Sequence, residues 1–212
     1  MLFALLGIFS LTYSAILAII SKYGYYALFV LLILEAASLP VPSEVILPVT
    51  GYLVYEGVLN FGIAFAVILL GGFVGMAINY YIAYFIGKDI VYKHLRLFHI
   101  KQESLDAFDA WFKRNGAFTV FIARLMPWVR GLVNFPAGFA LMPKKTFYLY
   151  SMLGTAIWDI ILISFGYYVS KYALSMGNVY YTFTIFGLAI GALAIVLFLV
   201  YRYASRRIKG NS

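Results

Sequence analysis

Two apolar stretches broken at their centres by proline most constrain what this chain can fold into. Gly24–Tyr55 carries Pro40 and Pro42, and Gly116–Ala140 carries Pro127 and Pro136. Neither can cross a bilayer as one regular helix, because an internal proline lacks the backbone donor and its ring clashes with the preceding turn. The arms left on either side run to about 10 to 16 residues, the length of half-helices rather than spans. Each stretch is therefore expected to form a helix–turn–helix hairpin that dips into the membrane and returns to the side it came from.

Four other apolar runs are unbroken: Leu2–Ser21, Phe61–Ile86, Phe147–Val169 and Tyr180–Tyr201. Each suffices to cross a hydrocarbon layer roughly 30 Å thick. With 64% hydrophobic and 11% charged residues and a mean hydropathy of +0.93, the chain falls outside soluble domains, about a quarter of whose residues are charged. The first run lacks a basic n-region and a small-residue cleavage site, so a retained helix is expected rather than a signal peptide. The expected fold is an all-α integral membrane protein of one domain, with four transmembrane helices and two re-entrant hairpins. The absence of cysteine excludes disulfides, thiolate metal sites and a cysteine nucleophile.

A net charge of +8 would suggest nucleic acid in a soluble protein, but here the position of each charge matters more. With both termini in the cytoplasm, Lys88, Lys93, Arg96, Lys101, Lys113, Arg114, Lys144, Lys145, Arg202, Arg206, Arg207 and Lys209 lie inside. Only Lys22 and Lys171 lie outside, and Arg124 and Arg130 fall within the membrane. The expected protein is a multi-pass one of the cell (plasma) membrane, and the bias supports a re-entrant reading of both broken segments. Between the hairpins, Leu105, Phe108, Trp111 and Phe112 share a helical face, as in an amphipathic cytoplasmic helix or a helical loop packed on the protein. His94 and His99 fall in the same segment without the acidic neighbours that would make a metal site, and neither a metal nor a cofactor is expected.

The two halves repeat one another. Residues 24–87 and 116–172 each read glycine, apolar arm, proline, arm, glycine, spanning helix, joined by the linker 88–115 and followed by the last span at 180–201. Gly75 to Gly87 and Gly154 to Gly166 share one interval. A hairpin adds no net crossing and a spanning helix adds one, so the two units enter from opposite sides as inverted repeats. In secondary transporters that arrangement brings broken helices together at the midplane to form one site.

The candidate site residues are the charges at the two tips. Glu35 and Glu44 flank the first pair of prolines, although Glu44 also suits the first turn of the returning arm. Arg124 and Arg130 flank Pro127, which lets both guanidiniums point toward one place. Asp159, in mid-helix beside Trp158, is a further charge able to pair with an arginine or relay a proton. Asn79, Tyr80 and Trp158 are candidate cavity-lining residues, while Tyr81 and Tyr84 also suit interfacial anchoring. An intramembrane guanidinium needs water, a carboxylate or a phosphate.

The succession Glu35, PVPSE (Pro40–Glu44), Gly51, GGFVG (Gly71–Gly75), RLMPWVRGLVNFPAG (Arg124–Gly138) and the helix bearing Trp158 resembles the DedA family, also called the VTT or SNARE-associated membrane proteins. The similarity covers Gly24–Tyr172, and the paired-arginine motif ending in Ala137 and Gly138 is its most specific part. The resemblance implies two re-entrant hairpins with functional acids and arginines at the tips, by position Glu35, Glu44, Arg124 and Arg130. It also implies transport of polyprenyl phosphate, phospholipid scrambling, or proton-dependent resistance to cations or drugs.

Charge matching favours a phosphate-headgroup lipid as the substrate, translocated by a flippase or scramblase mechanism that protons could drive. The alternative is a proton-coupled exporter of cations or cationic drugs that uses Glu35 and Glu44. A membrane phosphatase is disfavoured because both histidines lie away from the arginines. The expected partners are the lipid, the bilayer and protons, with a homodimer left open and no nucleic acid. Cysteines placed at Lys113 and Lys144 should both react with a reagent confined to the cytoplasm; labelling from opposite faces would rule out re-entry of the second hairpin.

Overall fold

A computed structural model describes residues 2–86, 102–127 and 129–175. The last expected span at Tyr180–Tyr201, the linker residues 88–101 with both histidines, Gly87 and Trp128 lie outside the described residues. Those described are helical, with no strand among them: α1 (Leu2–Tyr23), α2 (Tyr25–Ala36), α3 (Ser43–Tyr55), α4 (Phe61–Ile86), α5 (Gln102–Arg124), α6 (Val129–Leu132), α7 (Asn134–Phe139) and α8 (Lys144–Ser175). Two are long and apolar enough to cross a membrane, Phe61–Ile86 and Lys144–Tyr172. Large side chains such as Leu70, Ile78, Ile82 and Phe85 on α4 and Leu149, Leu153, Ile157 and Ile161 on α8 are exposed. An apolar surface that continuous is unfavourable in water and is satisfied by lipid.

Both prolines of the first tip fall between α2 and α3, as expected. The start of α2 is tied to the residue preceding α4, since the Asn60 backbone N–H donates to the Tyr25 hydroxyl at 2.8 Å. Phe112, Gly116 and Ala117 of α5 line a cavity of about 390 Å³ together with Ala140, Met142 and Thr146 from the chain after α7.

Three local expectations need correction. Gly116 starts nothing: α5 runs unbroken from the amphipathic segment into the first arm, so the boundary drawn at residue 116 falls inside a helix. A single helical glycine costs only about 1 kcal/mol, and a Cβ at Gly116 would lie 3.0 Å from the Phe112 ring, which rests against the glycine instead. Pro136 breaks nothing either, because it sits in the first turn of α7, where helical N–H groups have no intrahelical partner. Phe112 is buried while Trp111 is half exposed, so these two do not share one covered face.

The helices associate in two matched ways. α2 packs on α4 and α5 on α8, while α3 packs on α8 and α7 on α4. Glycines set the approach. A Cβ at Gly71 would lie 2.7 Å from the Phe29 carbonyl and 3.1 Å from Leu32 Cβ; one at Gly154 would lie 2.9 Å from the Phe121 carbonyl and 2.6 Å from Arg124 Cβ. Gly75 makes the same approach one turn on from Gly71, since a Cβ there would strike the Ile33 carbonyl and lie 2.7 Å from Ala36 Cβ. Further along each long helix, a Cβ at Gly138 would strike Ala83, and one at Gly51 would strike the Ile163 carbonyl and the Tyr167 backbone nitrogen.

Gly166→Val should force α3 and α8 apart, since its Cβ would strike the Pro48 backbone, at a cost of about 1–3 kcal/mol, lowering Tm in detergent by roughly 5 °C. Gly62→Ala, at an exposed position of α4, should leave Tm unchanged or slightly raised.

Candidate functional site

The site begins at the end of α2, where the proline turn stops the helix and orphans its last carbonyls. Three are met within the tip: Ala37 N–H donates to the Ile33 carbonyl at 2.8 Å, Leu39 to Leu34 at 3.0 Å and Ser38 to Glu35 at 2.9 Å. Ser38 adopts a left-handed conformation to do so, with φ 64°. The Ala36 carbonyl instead accepts from Asn79 Nδ2 of α4 at 3.3 Å and Asn134 Nδ2 of α7 at 3.2 Å. Asn79 Nδ2 also donates to the Ser38 hydroxyl at 2.7 Å. Backbone polar groups this deep cannot look to water, so the two asparagines close the accounting.

Glu35 lies in the last turn of α2, at the end of the helix dipole that disfavours a negative charge. It is buried, and the compensating charge comes from the other tip. Arg130 of α6 places Nε 3.0 Å from Glu35 Oε1 and donates from Nη2 to Oε2 at 3.4 Å. Arg130 Nη2 is also 3.8 Å from Oδ1 of Asp159 on α8. Asp159 is fully buried, and neither of its carboxylate oxygens accepts a hydrogen bond. One guanidinium thus faces two carboxylates, one in direct contact and one a step back.

Arg124 closes α5, where the C-terminal dipole favours a cation. It is 1% exposed, yet no carboxylate lies within ion-pair distance of it among the described residues. Its Nη2 donates to Asn134 Oδ1 and, at 3.4 Å, to the Ser151 hydroxyl of α8, while Nε has no partner. The two arginines therefore differ: Arg130 is held by acids, and Arg124 by neutral acceptors alone. The Arg130 Nη1, Thr155 hydroxyl, Ser43 hydroxyl and Trp158 indole N–H are also buried and unpartnered.

The profile of the VTT domain matches residues 41–168, more than half of the chain. The chain belongs to the VTT-domain, or DedA, family. It is 32% identical over 192 residues to undecaprenyl phosphate transporter A of Staphylococcus aureus, covering 89% of this chain and 94% of that protein. The protein of the same name from Bacillus subtilis is 29% identical, over 89% of this chain and 93% of its own length. Protein DedA of Escherichia coli is 25% identical, with 76% of each chain covered. No solved structure matches.

In this VTT-domain protein Glu35, Arg124, Arg130 and Asp159 lie within one polar cluster. Glu44 does not join them by contact: it sits half-buried in the first turn of α3, where an acid is favourable. Asn79 braces the first tip. Tyr80 is buried with its hydroxyl donating to the Met142 carbonyl, so it anchors the chain after α7. Trp158 is buried one residue from Asp159. Tyr81 and Tyr84 stack beneath the Lys144 ammonium, 4.8 and 5.6 Å from the ring centroids. Among the described residues no cluster of three metal-ligating side chains occurs.

Sequence reasoning missed Asn134, Ser151 and Thr155. Asn134 was visible as the one amide within the arginine motif, and Ser151, Thr155 and Asp159 recur every four residues along α8, a polar stripe in an apolar helix. Glu35→Gln or Arg130→Gln should each destabilise the folded protein by about 3–5 kcal/mol, because each leaves a buried charge behind. The double variant should recover about 1–3 kcal/mol of the summed loss, read from denaturation in detergent. Additive losses would mean that the pair is not coupled.

Proposed function

We propose that this protein translocates a lipid bearing a phosphate headgroup across the cell membrane, with polyprenyl phosphate as the favoured substrate. The observation that carries the reading is Arg124, a buried guanidinium whose charge meets no carboxylate among the described residues. Such a group is expensive to keep dry and suits an incoming anion. A phosphate monoester matches its forked donors, and the apolar surroundings let a lipid tail stay in the bilayer. Two relatives named undecaprenyl phosphate transporter A, each aligned over most of its length, support the same chemistry.

The matched contacts of α2 with α4 and of α5 with α8 support an inverted pair of repeats whose re-entrant tips meet at Glu35 and Arg130. On this reading the site opens when the tips part, and both termini are cytoplasmic. The activity is transport rather than catalysis. Cation export fits the geometry less well, because Glu35 is already paired with Arg130 and Glu44 stands apart.

Mass spectrometry of lipid extracted from the purified protein tests the proposal; a co-purifying polyprenyl phosphate is the expected result, and its replacement by neutral lipids alone argues against the reading. Arg124→Lys keeps the charge but loses the planar fork, in which Nη2 is held by Asn134 and Ser151 and Nε is left unpartnered. Its affinity for hexadecyl phosphate should fall roughly 10- to 100-fold, the worth of one or two charge-assisted hydrogen bonds, with Tm close to wild type.

A further inference from the structure

The cluster contains two guanidiniums, Arg124 and Arg130, and two contacting or near-contacting carboxylates, Glu35 and Asp159, so its formal charges cancel before any ligand enters. An anion seated on Arg124 unbalances it. In a buried site such an excess is unfavourable unless a proton accompanies the anion. Which carboxylate receives that proton depends on what each would lose. Glu35 holds Arg130 through both oxygens, at 3.0 and 3.4 Å. Asp159 is fully buried, accepts no hydrogen bond at either oxygen, and stands 3.8 Å from Arg130 Nη2. Protonating Asp159 sacrifices the least.

The stripe on α8 places the acid where it would sense the anion. Ser151 touches Arg124, Asp159 approaches Arg130, and the unpartnered Thr155 hydroxyl lies between them, the whole stripe spanning about 12 Å of helix rise. The charged groups facing Asp159 are Arg130 of α6, Glu35 of α2 and Arg124 of α5. Glu44 of α3 is half-buried and outside ion-pair distance of the arginines.

We infer that Asp159 takes up one proton from the aqueous phase as a phosphate-type anion binds at Arg124, making it the acid that couples headgroup binding to protons. The inference rests on the headgroup reading above. The step is a protonation alone: one Asp159 oxygen gains a solvent proton, no bond of the phosphate breaks, and the cluster keeps its charge when the anion is univalent. Neutral Asp159 can then donate to the anion or to Thr155.

The test is titration calorimetry of the purified full chain in detergent with hexadecyl phosphate, in buffers of different ionisation enthalpy, which counts protons exchanged on binding. Inorganic phosphate serves as a parallel probe to separate a lipid headgroup from free phosphate. A monoester exchanges a proton of its own near neutral pH, so the decisive quantity is the difference between wild type and Asp159→Asn. Wild type should take up about one proton more than Asp159→Asn, and its Kd should rise up to tenfold per pH unit above neutrality beyond the change the variant shows. Asp159→Asn should bind at least as tightly as wild type at pH 8, and Glu56→Gln, at an exposed surface acid, should match wild type.

Asp159→Asn mimics the protonated acid and is expected to fold. Should it not, Asp159→Glu supplies a second reading, because infrared difference spectra on adding hexadecyl phosphate should show a new protonated-carboxyl band that shifts with this change. Equal proton counts in wild type and Asp159→Asn, or a band that Asp159→Glu leaves in place, would overturn the inference while leaving headgroup binding intact. Failure of wild type to bind hexadecyl phosphate would overturn the headgroup reading and this inference with it.

Discussion

The contact between Glu35 and Arg130 is the interaction on which the rest of the site depends. It joins side chains 95 residues apart, from two proline-broken tips, at a depth where neither charge has water to fall back on. Either charge alone would be costly to bury, so the tips are held together by the penalty for separating them as much as by attraction. The same closeness lets Asn134 of the second hairpin satisfy the last carbonyl of the first and hold Arg124 in place. A junction made of mutually dependent charges can exchange one partner for a charged ligand, whereas an apolar junction offers none.

Around that junction the helices pack by backbone approach. Close contacts at Gly71, Gly75, Gly154, Gly166, Gly51 and Gly138 place α4 and α8 each against one arm of its own hairpin and one arm of the other. In lipid the hydrophobic effect does not press helices together, so packing of this kind carries much of the association. The polar residues neighbour two apolar clusters, one including Leu32 and Trp158 and the other Ala123 and Val133. An opening movement would have to slide or tilt these interfaces while keeping their glycines in register.

Much of this was legible beforehand because it is local. A proline removes a backbone donor and crowds the preceding turn, which is why the break at Pro40 and Pro42 was read correctly, although Pro48 is carried inside α3. Pro136 was misread for the same reason, since its effect depends on where the helix around it begins. Gly116 looked like punctuation, but glycine only weakens a helix, and its neighbours carry α5 through it. Arg124 and Arg130 stood out because charge is rare in apolar sequence, whereas Asn134, Ser151 and Thr155 are unremarkable until a guanidinium or a helix end is placed beside them.

The sequence by itself determined the membrane class, the family, the two broken segments and the acids and arginines worth watching, since these follow from composition, periodicity and short motifs. Only the tertiary structure decided how the charges are shared. It gave Glu35 to Arg130, left Arg124 with neutral partners, brought Asp159 within 3.8 Å of the ion pair and set Glu44 aside. Those choices turn on differences of an ångström between groups on separate helices, and electrostatic energies at low dielectric change steeply over that distance. Spacing along the chain holds no record of such distances, because the turns and helix contacts that set them are formed by many residues at once.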